Sequence, residues 1–132
     1  TKIRKFVIKM LRTMGKHQGI GIAAPQVGRN IRICAFIDQT KKEDPVIKVM
    51  INPIVISISE STSIEEEGCL SCPGRAVYIE RPNQIEVEYL HIDGNNVVRE
   101  KFSGITARVV QHELDHLEGT LIIDHEDKKK IY

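Results

Sequence analysis

Residues 111–119 read Gln-His-Glu-Leu-Asp-His-Leu-Glu-Gly, and the His-Glu-x-x-His inside them limits what the chain can fold into more than any other stretch. On an α-helix, positions i and i+4 stack on one face, so His112 and His116 can reach a common metal ion. Glu113 lies about 100° further round, beside such an ion, where a general base for a metal-activated water belongs. A surface helix whose polar residues fall into this order by accident is the competing reading, because the pattern fixes only three positions. Catalytic metal sites share three protein ligands and an open fourth position. The rest of the chain therefore has to supply one more donor.

Apolar residues make up 41% of the 132 and charged residues 28%, the balance of one globular domain, 1–132, with a core of its own. The formal net charge of +1 gives no sign of a basic nucleic-acid surface, and no direct nucleic-acid binding is expected. The lysines at 128–130 read as a solvated end. No apolar run approaches the roughly 18 residues that span a bilayer, and residues 1–14 mix Lys and Arg through their apolar positions, unlike a signal peptide. Three cysteines, Cys34, Cys69 and Cys72, cannot all pair, which points to reduced thiols in a reducing compartment.

Residues 1–15 place Ile3, Phe6, Val7, Met10, Leu11 and Met14 in the rhythm of an amphipathic helix, with Gly15 where a C-cap belongs. Residues 19–28 alternate small and aliphatic side chains. Ile20 and Ile22 point to one face if this segment is extended, and the glycines allow close backbone approach, although a glycine-rich bend fits the composition too. Strands are expected at 31–37, 46–51 and 54–58, the last two split by the turn signal Asn52-Pro53, with 59–63 as polar loop. Three glutamates at 65–67 have the look of a solvated face, yet they run into Gly68-Cys69, whose thiol is a candidate third ligand. Cys72 is read as structural: Pro73-Gly74 follows it too closely for a redox helix, and a four-cysteine zinc site lacks its second pair. A strand from Tyr78 breaks at Pro82. Residues 84–92 alternate as a half-buried strand with His91 on the polar side, 93–96 turn, and 97–102 return as a hairpin. Ser103 is placed to cap the final helix, in which Ile105, Val109 and Leu117 are apolar positions and Gly119 is the end.

Three segments, Gly-Ile-Gly-Ile-Ala-Ala-Pro-Gln at 19–26, Glu-Gly-Cys-Leu-Ser at 67–71 and the 111–119 stretch, resemble in order and separation the signature motifs of peptide deformylases. The resemblance implies a metal-dependent hydrolase that removes the formyl group from the N-terminal formylmethionine of newly made polypeptides and releases formate. It implies Cys69, His112 and His116 as metal ligands, Glu113 as catalytic acid/base, and Gln26 with the backbone N–H of Leu70 as oxyanion donors. One divalent ion is implied, Fe(II) first, with nickel, cobalt or zinc able to substitute; ligand softness alone favours zinc. Gly19, Ile20, Gly21 and Ile22 would meet the substrate backbone as an added strand, and Ile20, Ile105 and Val109 would line a methionine pocket. Arg75 is expected either to contact the substrate beyond methionine or, the favoured reading, to pair with Glu67. Asp115 either steadies a ligand imidazole or sits on the helix surface.

The expected fold is α+β, with mostly antiparallel sheet packed around a C-terminal metal-bearing helix and an N-terminal amphipathic helix on another face. Against the family pattern, the chain starts almost inside its first helix, without the usual N-terminal arm, and ends in a short charged tail where many members carry a C-terminal helix. The partners implied are formyl-Met N-termini of nascent chains at the ribosome, met by a monomer in the cytoplasm; an organelle of bacterial descent and a virus-encoded enzyme in a bacterial host are the other settings. Two further function classes compete. One is a zinc endopeptidase with its third ligand downstream, at Asp124 or His125. The other is an idle fold that binds nascent chains, against which the intact Glu113 speaks.

Overall fold

The structure, a computed structural model, describes residues 2–69 and 71–129, with side chains described as far as residue 125. Along the chain run α1 (Lys2–Lys16), β1 (Gly21–Ala23), a 3-10 turn (Ala24–Val27), β2 (Ile33–Asp38), β3 (Val46–Ile58), β4 (Thr62–Gly68), β5 (Ala76–Pro82), β6 (Gln84–Leu90), β7 (Val97–Ser103), α2 (Gly104–Leu117) and α3 (Ile122–Lys129). Five strands form one antiparallel sheet in the order β1-β2-β3-β6-β7, and β4 pairs with β5 in a second, two-stranded sheet. This is the expected α+β architecture.

Both faces of the larger sheet are covered, which explains why β2 reads as a continuous apolar run rather than an alternation. Cys34 and Phe36 of β2 face one core, with Met50, Val87 and Phe102 from neighbouring strands and Ala107 and Val110 of α2. Phe36 and Phe102 meet edge to face with centroids 5.4 Å apart. Ile33 and Ala35 face the other core, where Val7, Met10 and Met14 of α1 close over them. Each fully buried aliphatic or aromatic side chain here contributes roughly 1.5–3 kcal/mol. A third, smaller core sits under α3, where Ile122 packs on Cys72, Val77 and Ile79. The buried stripe of α2 contains Thr106, Ala107, Val109 and Val110, but also Glu113 and His116. Two titratable groups on the buried side of a helix mark where the core gives way to a site.

Several local expectations need correcting. Val46–Ile58 is a single strand: Asn52 takes φ +52° and the ladder to β6 shifts register there, so Asn-Pro makes a bulge rather than a turn. Residues 62–68, read as loop and acidic run, are a strand whose alternation hides in the three glutamates, only Glu67 facing inward. Gly15 lies inside α1, and the left-handed residue that ends the helix is Gln18, at φ +55°. Ser103 occupies the N-cap position of α2 without a side-chain capping bond. The charged tail is helical: α3 packs against β5, because Ile122 finds an apolar seat beneath it.

Candidate metal centre

Helical spacing brings His112 and His116 to the same side of α2, with ring centroids 5.0 Å apart. Cys69, just past the end of β4, turns its sulfur toward them, and Sγ lies 3.3 Å from His116 Nε2. One ligand atom from each of Cys69, His112 and His116 lies within 4.8 Å of the others, a spacing that one metal ion can bridge. Burial alone would raise the Cys69 thiol, but hydrogen bonds from both imidazoles pull it down to about 5. The sulfur is thus held ready as thiolate, the form that ligates.

Glu113 stands beside this trio and is only 4% exposed. Burial pushes its carboxyl up to about 7, opposed by the charges of His112 and His116. Its Oε1 is buried with no hydrogen-bond partner among the described residues. A buried, unpaired carboxylate oxygen is costly, and here it borders a two-imidazole, one-thiolate donor set. The residues present fit a metal ion and the water it would bring.

Gln26 lies within the 3-10 turn with its amide orientation fixed. The Ala23 N–H, which only donates, is 2.9 Å from Oε1, so Nε2 is the atom aimed at the site, 3.0 Å from Ser71 Oγ and 3.7 Å from Cys69 Sγ. Leu70, whose N–H is the other expected oxyanion donor, lies outside the described residues.

Behind Cys69, His112 and His116 runs an ion network that the sequence did not disclose. His112 Nδ1 meets Glu67 Oε1 at 2.9 Å, and Glu67 is gripped by Arg81 at 2.6 and 2.9 Å and by Arg108 at 2.6 Å. Burial works against the charge on Glu67, yet His112 and the two guanidiniums hold its carboxyl well below the usual range. Arg81 passes on to Asp115 at 3.0 Å, and Asp115 takes His125 Nε2 at 2.9 Å. The carboxylate that meets the His112 imidazole is therefore Glu67, with Asp115 one step back through Arg81. Among the described residues the cations on Glu67 are Arg81 and Arg108, while Arg75, which the sequence offered as a substrate contact or a partner of Glu67, lines the cleft. A signal existed for Arg108, four residues before His112 on the same helical face. None existed for Arg81, which sits before a proline.

A cleft of about 810 Å³ opens onto the centre, and Gly19, Ile20, Gly21, Ile105 and Val109 all line it. Ile20 and Ile105 are exposed in it, and Val109 forms its floor at 7% exposure. The Ile22 side chain does not line the cleft: it is buried in the core under α1. Ile20 and Ile22 therefore have separate surroundings despite their spacing. Among the described residues β1 is an edge of its sheet and pairs only with β2. The downstream candidates for a third ligand are occupied otherwise, Asp124 by the Leu121 N–H at 2.7 Å and His125 by Asp115. Cys34 is fully buried, which pushes its thiol up and keeps it an inert part of the core.

Comparison with known proteins gives the same picture. The polypeptide deformylase family matches residues 1–131. The peptide deformylase of Rhodopseudomonas palustris is 41% identical, with the match covering 98% of this chain and 74% of the relative. That of Synechocystis is 44% identical over 95% of this chain and 66% of the relative. Among solved structures, a probable peptide deformylase from Synechococcus phage S-SSM7 superposes with a TM-score of 0.86 at 38% identity, covering 94% of this chain and 83% of that one. The Thermotoga maritima peptide deformylase gives 0.84 at 43% identity, covering 94% and 80%. An Acinetobacter baumannii peptide deformylase with Met-Ala-Ser bound gives 0.86 at 35%, covering 95% and 81%. By sequence, fold and donor set, the chain belongs to the polypeptide deformylase family, metal-dependent hydrolases that remove the formyl group from an N-terminal methionine.

Proposed function

We propose that deformylation in this chain is carried out by Glu113 beside one divalent metal held by Cys69, His112 and His116, with Gln26 Nε2 and the Leu70 N–H as donors to the developing oxyanion. The observation that carries this reading is the unpartnered Oε1 of buried Glu113 next to three converging ligand atoms. When bound, the ion supplies a Lewis acid that acidifies water and polarises a carbonyl; Fe(II) is the proposed metal, with nickel, cobalt or zinc as substitutes. Glu113 Oε1 takes the proton of the attacking water and returns it to the departing amine. A carboxyl near pH 7 is matched to both tasks. Gln26, locked by Ala23, meets the tetrahedral oxygen without reorienting, and losing one such donor costs on the order of 100–1000-fold in rate.

The edge formed by Gly19 and Ile20 leading into β1 and by Gly21 and Ile22 within it receives the substrate backbone as an added strand. Ile20, Ile105 and Val109 hold the methionine side chain. Main-chain pairing plus one apolar pocket lets a single enzyme accept many nascent chains, and we place it at the ribosome, as a cytoplasmic monomer. Among the described residues no helix is long and apolar enough to cross a membrane. The test is formate release from a formyl-Met tripeptide by anaerobically purified, metal-loaded protein, beside its Glu113→Gln variant. The parent should turn over while the variant keeps its metal and loses at least about 100-fold in kcat. A metal-loaded parent that releases no formate overturns the reading.

A further inference from the structure

α1 breaks two rules that a helix made only to cover a core would follow. Its first turn carries Lys2, Arg4 and Lys5 and no acid, where the backbone dipole favours negative charge. Lys2, Lys5, Lys9, Arg12 and Lys16 then set like charges three and four residues apart down the whole helix, an arrangement that weakens it. At about 100° per residue the five fall within an arc of roughly 80°. Fourteen residues at about 1.5 Å each stretch the stripe over ~21 Å. All five are exposed, and none has a carboxylate within ion-pair reach among the described residues. The near-zero net charge conceals a segregation. α1 holds six of the chain's 19 cations and none of its 18 acids, leaving 13 cations against 18 acids elsewhere.

We propose that this face of α1 is a docking surface for the phosphate backbone of structured RNA. A single-sign line two helical turns and more in length complements a polyanion. A lipid surface is the poorer match, since a membrane-lying helix inserts its apolar face and here Val7 and Met10 are each 1% exposed inside the core. The stripe also leads to the site: Lys16 is followed directly by His17, Gln18 and Gly19 on the rim of the cleft. Docking through α1 holds the cleft mouth against the RNA-bearing surface. Resting on the deformylase reading, the inference gives that surface a purpose, because nascent chains are presented on an RNA-rich particle.

The experiment is a salt-series titration of the metal-loaded protein against a short RNA duplex by fluorescence anisotropy, with phosphatidylserine vesicles in a parallel arm. Five phosphate contacts give a slope of log K against log salt of about −4. The neutral K5Q/K9Q/R12Q variant should flatten that slope by about 3, and K5E/K9E/R12E should weaken binding more than tenfold. Both should melt no lower than the parent and keep its kcat/KM on a formyl-Met tripeptide. Variants that bind RNA like the parent, a parent that binds no RNA, or a parent that binds vesicles in preference to RNA would each overturn the proposal. A parent that binds RNA through the stripe yet releases no formate would support the docking surface and count against the reaction alone.

Discussion

Gly21 is the residue on which catalysis and the sheet edge converge. A Cβ built there would lie 2.4 Å from Glu113 Oε2 and 2.9 Å from its carboxylate carbon. Glycine spacing in the sequence marks a place where a backbone comes close, and the group that lies against Gly21 is the Glu113 carboxylate. Gly21→Ala is therefore expected to displace Glu113 while leaving Cys69, His112 and His116 in place. The variant should bind metal at parental stoichiometry and lose about 100-fold or more in kcat, the usual worth of a positioned acid/base. Metal analysis beside steady-state kinetics checks this, and full activity at full metal loading would show that Glu113 tolerates the crowding. The convergence of His112 and His116 with Glu113 beside them was legible because a helix fixes their geometry locally. The steric role of Gly21 was not, because it depends on how β1 lies across α2.

At the scale of elements, the centre is α2 clamped to the β4–β5 sheet. Glu67 of β4, Arg81 of β5, and Arg108, His112 and Asp115 of α2 form a continuous chain of ion pairs and hydrogen bonds. Most strands were readable from alternation and turn residues. β4 was not, since its inward residue is a glutamate among glutamates and its partner is an arginine, a buried pair that mimics a solvated run. The strand split at Asn52-Pro53 failed for a related reason, because a bulge uses the same residues as a turn. Arg81→Met tests the clamp. It removes one guanidinium from a buried carboxylate, which costs about 3–5 kcal/mol in stability when a buried pair is broken. It also loosens the orienter of His112, so metal affinity should fall about 10–100-fold. Competition with a chelator well below the melting temperature separates the two effects. If affinity is unchanged in the folded variant, the network is structural only.

Across the whole molecule, a second ion cluster joins strands of the large sheet close to the start of α2. Lys48 of β3 reaches Asp38 of β2 at 2.7 Å and, over β6, Glu100 of β7, which also accepts the Tyr89 hydroxyl at 2.8 Å. Beyond Asp38 the chain bends, and the Gln39 N–H donates to Thr106 in the first turn of α2 at 3.2 Å. No sequence pattern announces this cluster, since its members stand 10, 11 and 52 residues from one another along the chain in ordinary strand positions. Burial opposes the charge on Asp38, but Lys48 and Thr40 outweigh it and lower its carboxyl from 3.8. Burial likewise opposes the Lys48 ammonium, and Asp38 and Glu100 nonetheless raise it above 10.5. The lowered acid contributes stability that is present above 3.8 and lost as pH falls through its folded value; the raised base contributes below 10.5 and loses it as pH climbs past its own. Lys48→Met should thus cost about 1–3 kcal/mol near neutral pH, by leaving the buried Asp38 and half-buried Glu100 carboxylates without their cation. That difference should shrink once pH drops below the folded value of Asp38, where the parent's aspartate is protonated as well. Urea unfolding of both proteins across a pH series measures it. A parent-to-variant gap that stays constant from neutral to strongly acidic pH would mean that Lys48 stabilises the sheet through its alkyl stem, and not through charge.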